Sequence, residues 1–217
     1  MRGLMRPGPH RVRLQRVIGI SFPRSGHHCL EGLLRQYFGC AWSYCETYGM
    51  CTQDRCINDA VYQKNHDFGL TLHPRRPVLV QVREPEPAIQ SLFELEVGLG
   101  TITDDEESWL RFSADRLAFY RRWCERWIHP DHFVIHYEAL MAEPAVQLAR
   151  AVRLFEDREP HMPTIASIVA RSDVRQRRDV TAFRYGRLAL EPVSVEAPPP
   201  TEPEFDENEA PWWELKR

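Results

Sequence analysis

The sequence predicts an α/β fold, a parallel β-sheet flanked by helices, over residues 1–190. Two observations predict it. Short runs rich in Val, Ile and Leu recur along the chain, as in strands that are buried on both faces of a parallel sheet. A turn and then apolar residues at helical spacing follow the clearest of these runs, and strands that alternate with helices are typical of parallel sheets. Residues 191–217 differ in composition and form a separate tail.

The first strand–helix unit, at 16–38, organises the rest of the chain. Val17–Ile20 is a short apolar run that predicts a buried strand, and apolar residues recur at helical spacing from Leu30. A tight loop between a strand and a helix aims backbone N–H groups at an anion. Arg24 adds a fixed positive charge to this loop, and its guanidinium suits phosphate oxygens. The stretch therefore predicts a phosphate-binding loop, and the alternative is an ordinary connection with an exposed arginine.

This loop is not a Walker A motif, because that motif ends in Gly-Lys-Ser/Thr. Gly26 is followed by His27, so the lysine and the hydroxyl that binds magnesium are both absent. A nucleotide can still bind here, but not in the usual manner of an ATPase.

A polar cluster ends the next predicted strand. Residues 60–68 begin as a short strand and end in Lys64, Asn65, His66 and Asp67. Ligands of open α/β sheets lie at the ends of strands, and histidine is the most common general base. The cluster predicts a catalytic group, and a surface turn with solvated charges is equally consistent with it.

A second strand–helix unit begins with the strand at 76–83. Its apolar, β-branched residues predict a strand buried on both faces, and a helix follows from about Pro87. Arg83 stands at the end of the strand and Ser91 lies on the helix. A cation and a hydroxyl in these places predict a clamp for a second phosphate.

The remaining elements follow from apolar periodicity. The pattern predicts helices over 104–127, from 138, over 148–155 and over 161–171, a strand over 132–137, and an interruption or helix start at Pro144. The aromatic residues of the long helix are more typical of a core than of a ligand site. Two segments each allow two interpretations. The aromatic, loop-like segment 39–60 is a pocket wall or plain packing, and the basic run 171–179 is a solvated face or a loop that closes over an anion.

Composition bounds the class of protein. The chain has 217 residues, enough for one domain with a sizeable core. Its net charge of −3 argues against a general nucleic-acid binder. No apolar run is long enough to span a membrane, and the Arg-rich start of the chain lacks the apolar segment of a secretory signal. The expectation is a cytoplasmic protein without a transmembrane segment, and the sequence does not indicate its oligomeric state.

The tail and the cysteines complete the pattern. Residues 191–217 carry eight acids, two bases and six prolines, which predicts a largely disordered acidic tail and leaves a net +3 on the rest. Trp212 and Trp213 in this tail could dock on the body or on a partner. Four of the six cysteines are Cys40, Cys45, Cys51 and Cys56. Reduced structural thiols are favoured, because the lack of a C-x2-C pair argues against zinc and the lack of a secretory signal argues against disulfides.

Four stretches, in their order along the chain, resemble the sulfotransferases that use 3′-phosphoadenosine 5′-phosphosulfate, PAPS. They are Phe22–Gly26, Lys64–His66, Val82–Pro85 with Ser91, and Tyr137–Leu140 with Pro144. The first is similar to the family's loop for the 5′-phosphosulfate, the second to its Lys-Thr-His segment with the catalytic base, and the third to its clamp for the 3′-phosphate. The resemblance implies a P-loop NTPase-like sulfotransferase fold over roughly residues 16–190.

The resemblance also implies an activity and a set of residues. The chain would transfer a sulfuryl group from PAPS to a hydroxyl or amine of a small-molecule or carbohydrate acceptor, release 3′,5′-ADP and need no metal. The implied catalytic residues are His66 as the base, Arg24 and Lys64. The implied residues for PAPS are Arg24, Ser25, Gly26, His27, His28, Arg83, Ser91 and Arg184. His27 and His28 replace two hydroxyl residues that are common in the family, and their ring N–H groups could donate to the phosphate instead.

Two other functions compete with this one. A P-loop kinase would bind ATP with magnesium, but the Walker lysine and hydroxyl are missing. A non-catalytic nucleotide-binding or scaffold protein would bind 3′,5′-ADP and transfer nothing.

Overall fold

A computed structural model of the chain describes residues 14–46, 56, 58–66, 76–172, 185 and 188. Within these residues, five parallel strands form one sheet in the order β2-β3-β1-β4-β5, accompanied by six helices. The strands are β1 (Val17–Ser21), β2 (Tyr44–Cys45), β3 (Tyr62–Asn65), β4 (Val78–Val82) and β5 (Phe133–His136). The helices are α1 (His27–Phe38), α2 (Pro85–Gly98), α3 (Glu106–Trp127), α4 (Tyr137–Ala142), α5 (Pro144–Phe155) and α6 (Met162–Arg171). The predicted α/β class with a parallel sheet is confirmed.

The contacts of the chain divide it into two units, Met1–Arg187 and Leu188–Arg217. Every helix and strand given above lies in the first unit. The predicted tail at 191–217 lies outside the described residues, as do Asp67 and the basic run from residue 173 onward.

The segment 39–60 differs from its sequence-based prediction. It was expected to be loop-like, but it contains a short 3-10 turn at Gly39–Ala41 and the edge strand β2. Strand β2 pairs in parallel with β3, with Tyr44 opposite Tyr62. Periodicity could not reveal this strand, because two residues are too few to show alternation.

The order of the strands places the crevice of the sheet beside β1. Strand β1 is central, with β3 on one side and β4 on the other. The direction of the connections therefore reverses at β1, and ligands of open α/β sheets bind at such a point, outside the carboxyl ends of the strands. The residues after β1, β3 and β4 are the ones in which the sequence predicts function.

One face of the sheet is closed by α1, α5 and α6. The shared cluster has side chains that are at most 1% exposed: Val17, Leu33, Leu34, Tyr62, Leu79, Ile135, Leu148, Val152, Phe155, Ile165 and Ile168. Apolar area removed from water contributes about 25 cal/mol per Å², so this cluster is the main source of stability on this face. Phe155 lies at its centre, with its ring centroid 5.0 Å from that of Trp42 and 5.6 Å from that of Tyr62.

Aromatic residues of α3 pack near the end of β1. The Phe22 ring meets Tyr120 edge-on at 4.9 Å and Trp123 at 5.8 Å between centroids. Trp123 and Trp127 are at most 1% exposed, which confirms the core interpretation for these two residues. Helix α3 begins where Asp105 accepts a hydrogen bond from the Ser108 backbone N–H at 2.7 Å, as an N-cap does.

Gly19 in the middle of β1 is required by close packing. A Cβ atom at this position would lie 2.5 Å from the ring of Tyr62. Because glycine has no side chain, the ring of Tyr62 can pack directly against the backbone of β1.

Among the described cysteines, Cys29, Cys45 and Cys56 are buried, Cys40 is exposed and Cys124 is partly buried. Cys45 and Cys56 join Ala60 in a small buried cluster. Cys51 lies outside the described residues. Among the helices of the described ranges, none is both long enough and apolar enough for a membrane span.

Candidate functional site

The loop between β1 and α1 turns through two residues with left-handed backbone. Arg24 has φ 66° and Gly26 has φ 75°. The Ser25 N–H is used inside the loop, where it donates to the Phe22 carbonyl at 3.2 Å. The helix begins at His27. The Cys29 N–H donates to the Gly26 carbonyl at 2.9 Å, so the N–H groups of His27 and His28 are the ones of the first turn without an acceptor inside the helix. The loop thus presents the positive end of a helix dipole beyond the central strand.

The Ser25 side chain adds a hydroxyl to this loop. It is 1% exposed, and its Oγ has no hydrogen-bond partner within the part of the chain that the structure describes. A buried hydroxyl without a partner is destabilising by about 1–3 kcal/mol, and a ligand that hydrogen-bonds to Ser25 Oγ would remove this cost. An anion with several oxygens would meet this hydroxyl and the N–H groups of the first turn together.

Arg24 connects the loop to α2. Its Nε donates to the Ser91 Oγ at 3.0 Å, although the two residues are 67 positions apart. Arg24 is exposed and Ser91 is 9% exposed, so the guanidinium stands at the surface while the hydroxyl lies below it. The contact joins two of the four sequence motifs.

Tyr137 joins the loop to Arg83. The guanidinium carbon of Arg83 lies 4.4 Å from the centroid of the Tyr137 ring. The same ring packs so closely on Gly26 that a Cβ atom there would overlap it. Tyr137 directly follows β5. Its ring therefore lies between Gly26 of the first motif and Arg83 of the third motif.

Hydrogen bonds from two other elements fix the position of Arg83 and Glu84, the residues that follow β4. The Tyr120 hydroxyl donates to the Arg83 carbonyl at 2.9 Å, and burial raises the pKa of Tyr120, which keeps this donor protonated. The Glu84 N–H donates to the Glu138 carboxylate at 3.0 Å. Arg83 itself is 7% exposed. The guanidinium therefore has a defined position before any ligand binds.

His66 is held by the end of β1. Its Nδ1 lies 2.5 Å from the Ser21 carbonyl oxygen and 3.1 Å from the Ser21 Oγ. Because a carbonyl only accepts, Nδ1 carries the proton and the lone pair is on Nε2. Burial and then the charge of Lys64 lower the pKa of His66 to about 4, so the ring is neutral at pH 7. A neutral imidazole with its lone pair on one defined nitrogen has the form of a general base.

Lys64 pairs with Glu46, which the sequence did not single out. The Lys64 Nζ lies 2.5 Å from the Glu46 Oε1, and Lys64 is 5% exposed. Burial lowers the pKa of Lys64, and the neighbouring Glu46 carboxylate opposes that change. The Nε2 of exposed His28 lies 3.5 Å from the same carboxylate oxygen. Glu46 follows the unpredicted strand β2, so no motif marked it.

His27 and His28 lie in different surroundings, although the sequence treats them alike. The His27 ring is 5% exposed and stacks on Tyr62, with centroids 5.2 Å apart and planes 12° apart. Neither ring nitrogen has a hydrogen-bond partner within the described residues. Burial, and then the charge of Lys64, lower the pKa of His27 well below its usual value, so this ring is neutral.

The residues named from the sequence therefore fall into two groups at one edge of the sheet. The first group is joined by the Arg24–Ser91 hydrogen bond and by the contacts of Tyr137. It consists of Arg24, Ser25, Gly26, Arg83 and Ser91. Lys64 lies in β3 and His66 directly follows it, beside the end of β1, with Glu46 and His28 as neighbours. Arg184 lies outside the described residues. Within the described ranges, no group of three or more His, Cys, Asp or Glu side chains is placed to hold a metal ion.

Comparison with known proteins neither supports nor contradicts the roles that this geometry suggests. No protein-family model matches the chain, and a search of curated proteins found no significant match.

Proposed function

We propose that the protein transfers a sulfuryl group from PAPS to a hydroxyl or amine of a small-molecule or carbohydrate acceptor and releases 3′,5′-ADP. The observation that carries the proposal is the hydrogen bond from Arg24 to Ser91. This hydrogen bond joins the loop between β1 and α1 to helix α2. Ser91 of α2 belongs, by resemblance, to the clamp for the 3′-phosphate. PAPS carries a phosphate on its 5′ oxygen and another on its 3′ oxygen, whereas ATP has no 3′-phosphate.

Two groups of residues would bind the two phosphates. The Ser25 hydroxyl and the N–H groups at the start of α1 would bind the 5′-phosphate, since this hydroxyl is buried and lacks a partner among the described residues. Arg83 and Ser91 would bind the 3′-phosphate. His27 would contribute its backbone N–H, because its ring is stacked against Tyr62 in the interior.

His66 would act as the general base. Its Nε2 lone pair would take the proton of the acceptor hydroxyl as the acceptor oxygen bonds to sulfur. The bond from sulfur to the bridging oxygen breaks in the same displacement, and the electron pair leaves with 3′,5′-ADP. The hydrogen bond from Nδ1 to the Ser21 carbonyl would stabilise the positive ring that results.

Charge would be stabilised by two cations on either side of the reacting centre. Arg24 would offset the negative charge that grows on the leaving bridging oxygen. Lys64 would contact the sulfuryl oxygens, and Glu46 would keep it charged and oriented. Positioning and charge stabilisation dominate displacements of this kind, as they do in phosphoryl transfer.

Calorimetric titration with 3′,5′-ADP, 5′-ADP and ATP with magnesium tests the nucleotide site. We expect 3′,5′-ADP to bind at least about tenfold more tightly than 5′-ADP, because a buried arginine bonded to a phosphate contributes more than about 1.4 kcal/mol. Arg83→Ala is expected to abolish this preference. Arg111→Ala, which removes an exposed arginine of α3, serves as the control and should leave it intact.

Two results of this titration would contradict the proposal. Preference for ATP with magnesium would favour a P-loop kinase. A preference for 3′,5′-ADP that survives Arg83→Ala would place the 3′-phosphate elsewhere. If 3′,5′-ADP binds as expected but PAPS transfers nothing to a broad set of acceptors, the chain is a nucleotide-binding or scaffold protein.

Glu46→Gln is expected to shift the alkaline limb of the turnover profile to lower pH. Burial lowers the pKa of Lys64 and Glu46 opposes this, so without the carboxylate Lys64 loses its charge at a lower pH. The measurement is kcat/KM against pH. Asp59→Asn, an exposed carboxylate paired with Arg16, is the control and should leave the limb in place.

An unchanged alkaline limb in Glu46→Gln would exclude a role of Glu46 in keeping Lys64 charged. A uniform loss at every pH, as large as the loss on removing His66, would instead assign the proton acceptor to Glu46.

A further inference from the structure

A cavity of about 300 Å³ is lined by residues of α2 and α3, and no residue of the loop between β1 and α1 is among its described lining residues. The α2 residues that line it recur at helical spacing from Gln90 through Phe93 and Val97, and Ser91 is not among them. The volume is at the lower end of the range for pockets that bind small molecules, which run from about 300 to 1,000 Å³.

The floor of the cavity is aromatic. Phe93 and Trp109 are each 3% exposed, and their rings meet edge-on with centroids 5.2 Å apart. Tyr185 closes another side, with its ring centroid 6.1 Å from that of Phe93 at an interplanar angle of 89°. Three ring systems therefore contribute to the lining of the cavity.

The rim of the cavity is acidic. Glu94 and Asp104 both line it and both are exposed, so their carboxylates stand where the cavity meets solvent. Gln90 donates to the Glu94 carboxylate at 3.1 Å, and the Tyr185 hydroxyl donates to the Asp104 carboxylate at 2.7 Å. These hydrogen bonds orient both negative groups.

The surrounding sequence has the same sign of charge. Residues 84–110 contain eight acids and no Lys, Arg or His. Among the described residues that line the cavity, none is basic. The charge of this described lining is thus opposite to that of the loop at Arg24, and it disfavours a phosphate or a sulfonate.

We propose that this cavity binds an organic cation, a quaternary or alkylated ammonium group carried on a single ring or a short alkyl chain. Aromatic faces attract a cation through their quadrupole, and recognition of quaternary ammonium groups by several rings is the usual functional form of this interaction. The carboxylates at the rim add attraction for the same charge, and the apolar floor takes the body of the ligand. The proposal does not depend on sulfuryl transfer.

Titration with three probes of similar size tests the site. Benzyltrimethylammonium carries the cation, benzyl alcohol is neutral and benzenesulfonate is an anion. In calorimetry the cation is expected to bind saturably and about tenfold or more tighter than benzyl alcohol, and benzenesulfonate is expected not to bind. The indole N–H resonance of Trp109, assigned by its loss in Trp109→Phe, is expected to shift with the cation alone.

Variants at the rim locate the binding. Glu94→Gln and Asp104→Asn should each weaken benzyltrimethylammonium about threefold or more. Glu107→Gln, an exposed acid of α3 that does not line the cavity, is the matched control and should leave affinity unchanged. Equal loss in Glu107→Gln would mean general charge attraction, equal affinity for benzyl alcohol would mean an apolar cavity without selectivity, and no saturable binding would mean no site. Each of these results overturns the proposal.

Discussion

Replacing Gly26 by alanine is expected to abolish binding of 3′,5′-ADP. Gly26 has φ 75°, and a left-handed backbone is unfavourable by about 1–2 kcal/mol for a residue with a side chain. The added Cβ would also overlap the ring of Tyr137, which can move only by giving up its contact with Arg83. The two groups that are proposed to bind the phosphates would therefore be disturbed together. We expect an affinity loss of well over about tenfold, measured by calorimetry.

Gly32→Ala is the matched control for this experiment. Gly32 lies within α1, and a Cβ atom there would meet no other atom within 4 Å. Alanine in a helix interior is favoured over glycine by about 1 kcal/mol, so this variant should bind 3′,5′-ADP normally and melt at a higher temperature. Unimpaired binding by a folded Gly26→Ala variant would show that the loop does not hold the nucleotide.

Replacing His66 by asparagine is expected to lower turnover from PAPS by about 10²–10⁴-fold and to leave the affinity for 3′,5′-ADP unchanged. The asparagine amide can still donate to the Ser21 carbonyl, but it has no basic nitrogen. Single-turnover transfer of the sulfuryl group measures the first effect and calorimetry the second. His129→Asn serves as the control, since His129 is an exposed residue that pairs with Asp131.

The pH dependence of turnover by the unmodified protein tests the proposed role of His66 in a second way. The pKa of His66 is lowered to about 4, so the base form persists as the pH falls below the ordinary histidine value of 6.5. The acid limb of kcat/KM is expected near pH 4, and activity is lost only as the pH falls through that value. An acid limb near 6.5, or full activity in His66→Asn, would contradict the assignment of His66 as the base.

Local pattern was enough to predict most elements of the fold. The apolar runs at β1, β4 and β5 are long enough to show burial, and the helices α1 and α2, which follow the first two runs, show their period over three or more turns. Helix α5 begins at Pro144 rather than at the predicted residue 148, and Pro144 itself was the signal for this start. Strand β2 was missed, since two residues carry no period.

The candidate site was predictable where the chain is continuous and not where it depends on contacts between distant segments. The loop at 22–26 and the residues Arg83 and Ser91 follow from strand–turn–helix patterns. Their approach to one another does not, because the order of strands in a sheet is set by packing rather than by order in the chain.

By itself, the sequence of this protein determined a parallel α/β fold and the segments that end at the crevice, because burial and turn formation are read from neighbouring residues. Only the tertiary structure decided which side chains meet. It set Glu46 against Lys64, turned the His27 ring into the interior and placed Tyr137 between Gly26 and Arg83. These contacts depend on distances across the sheet, where residues far apart in the chain share one desolvated space, and no local pattern encodes them.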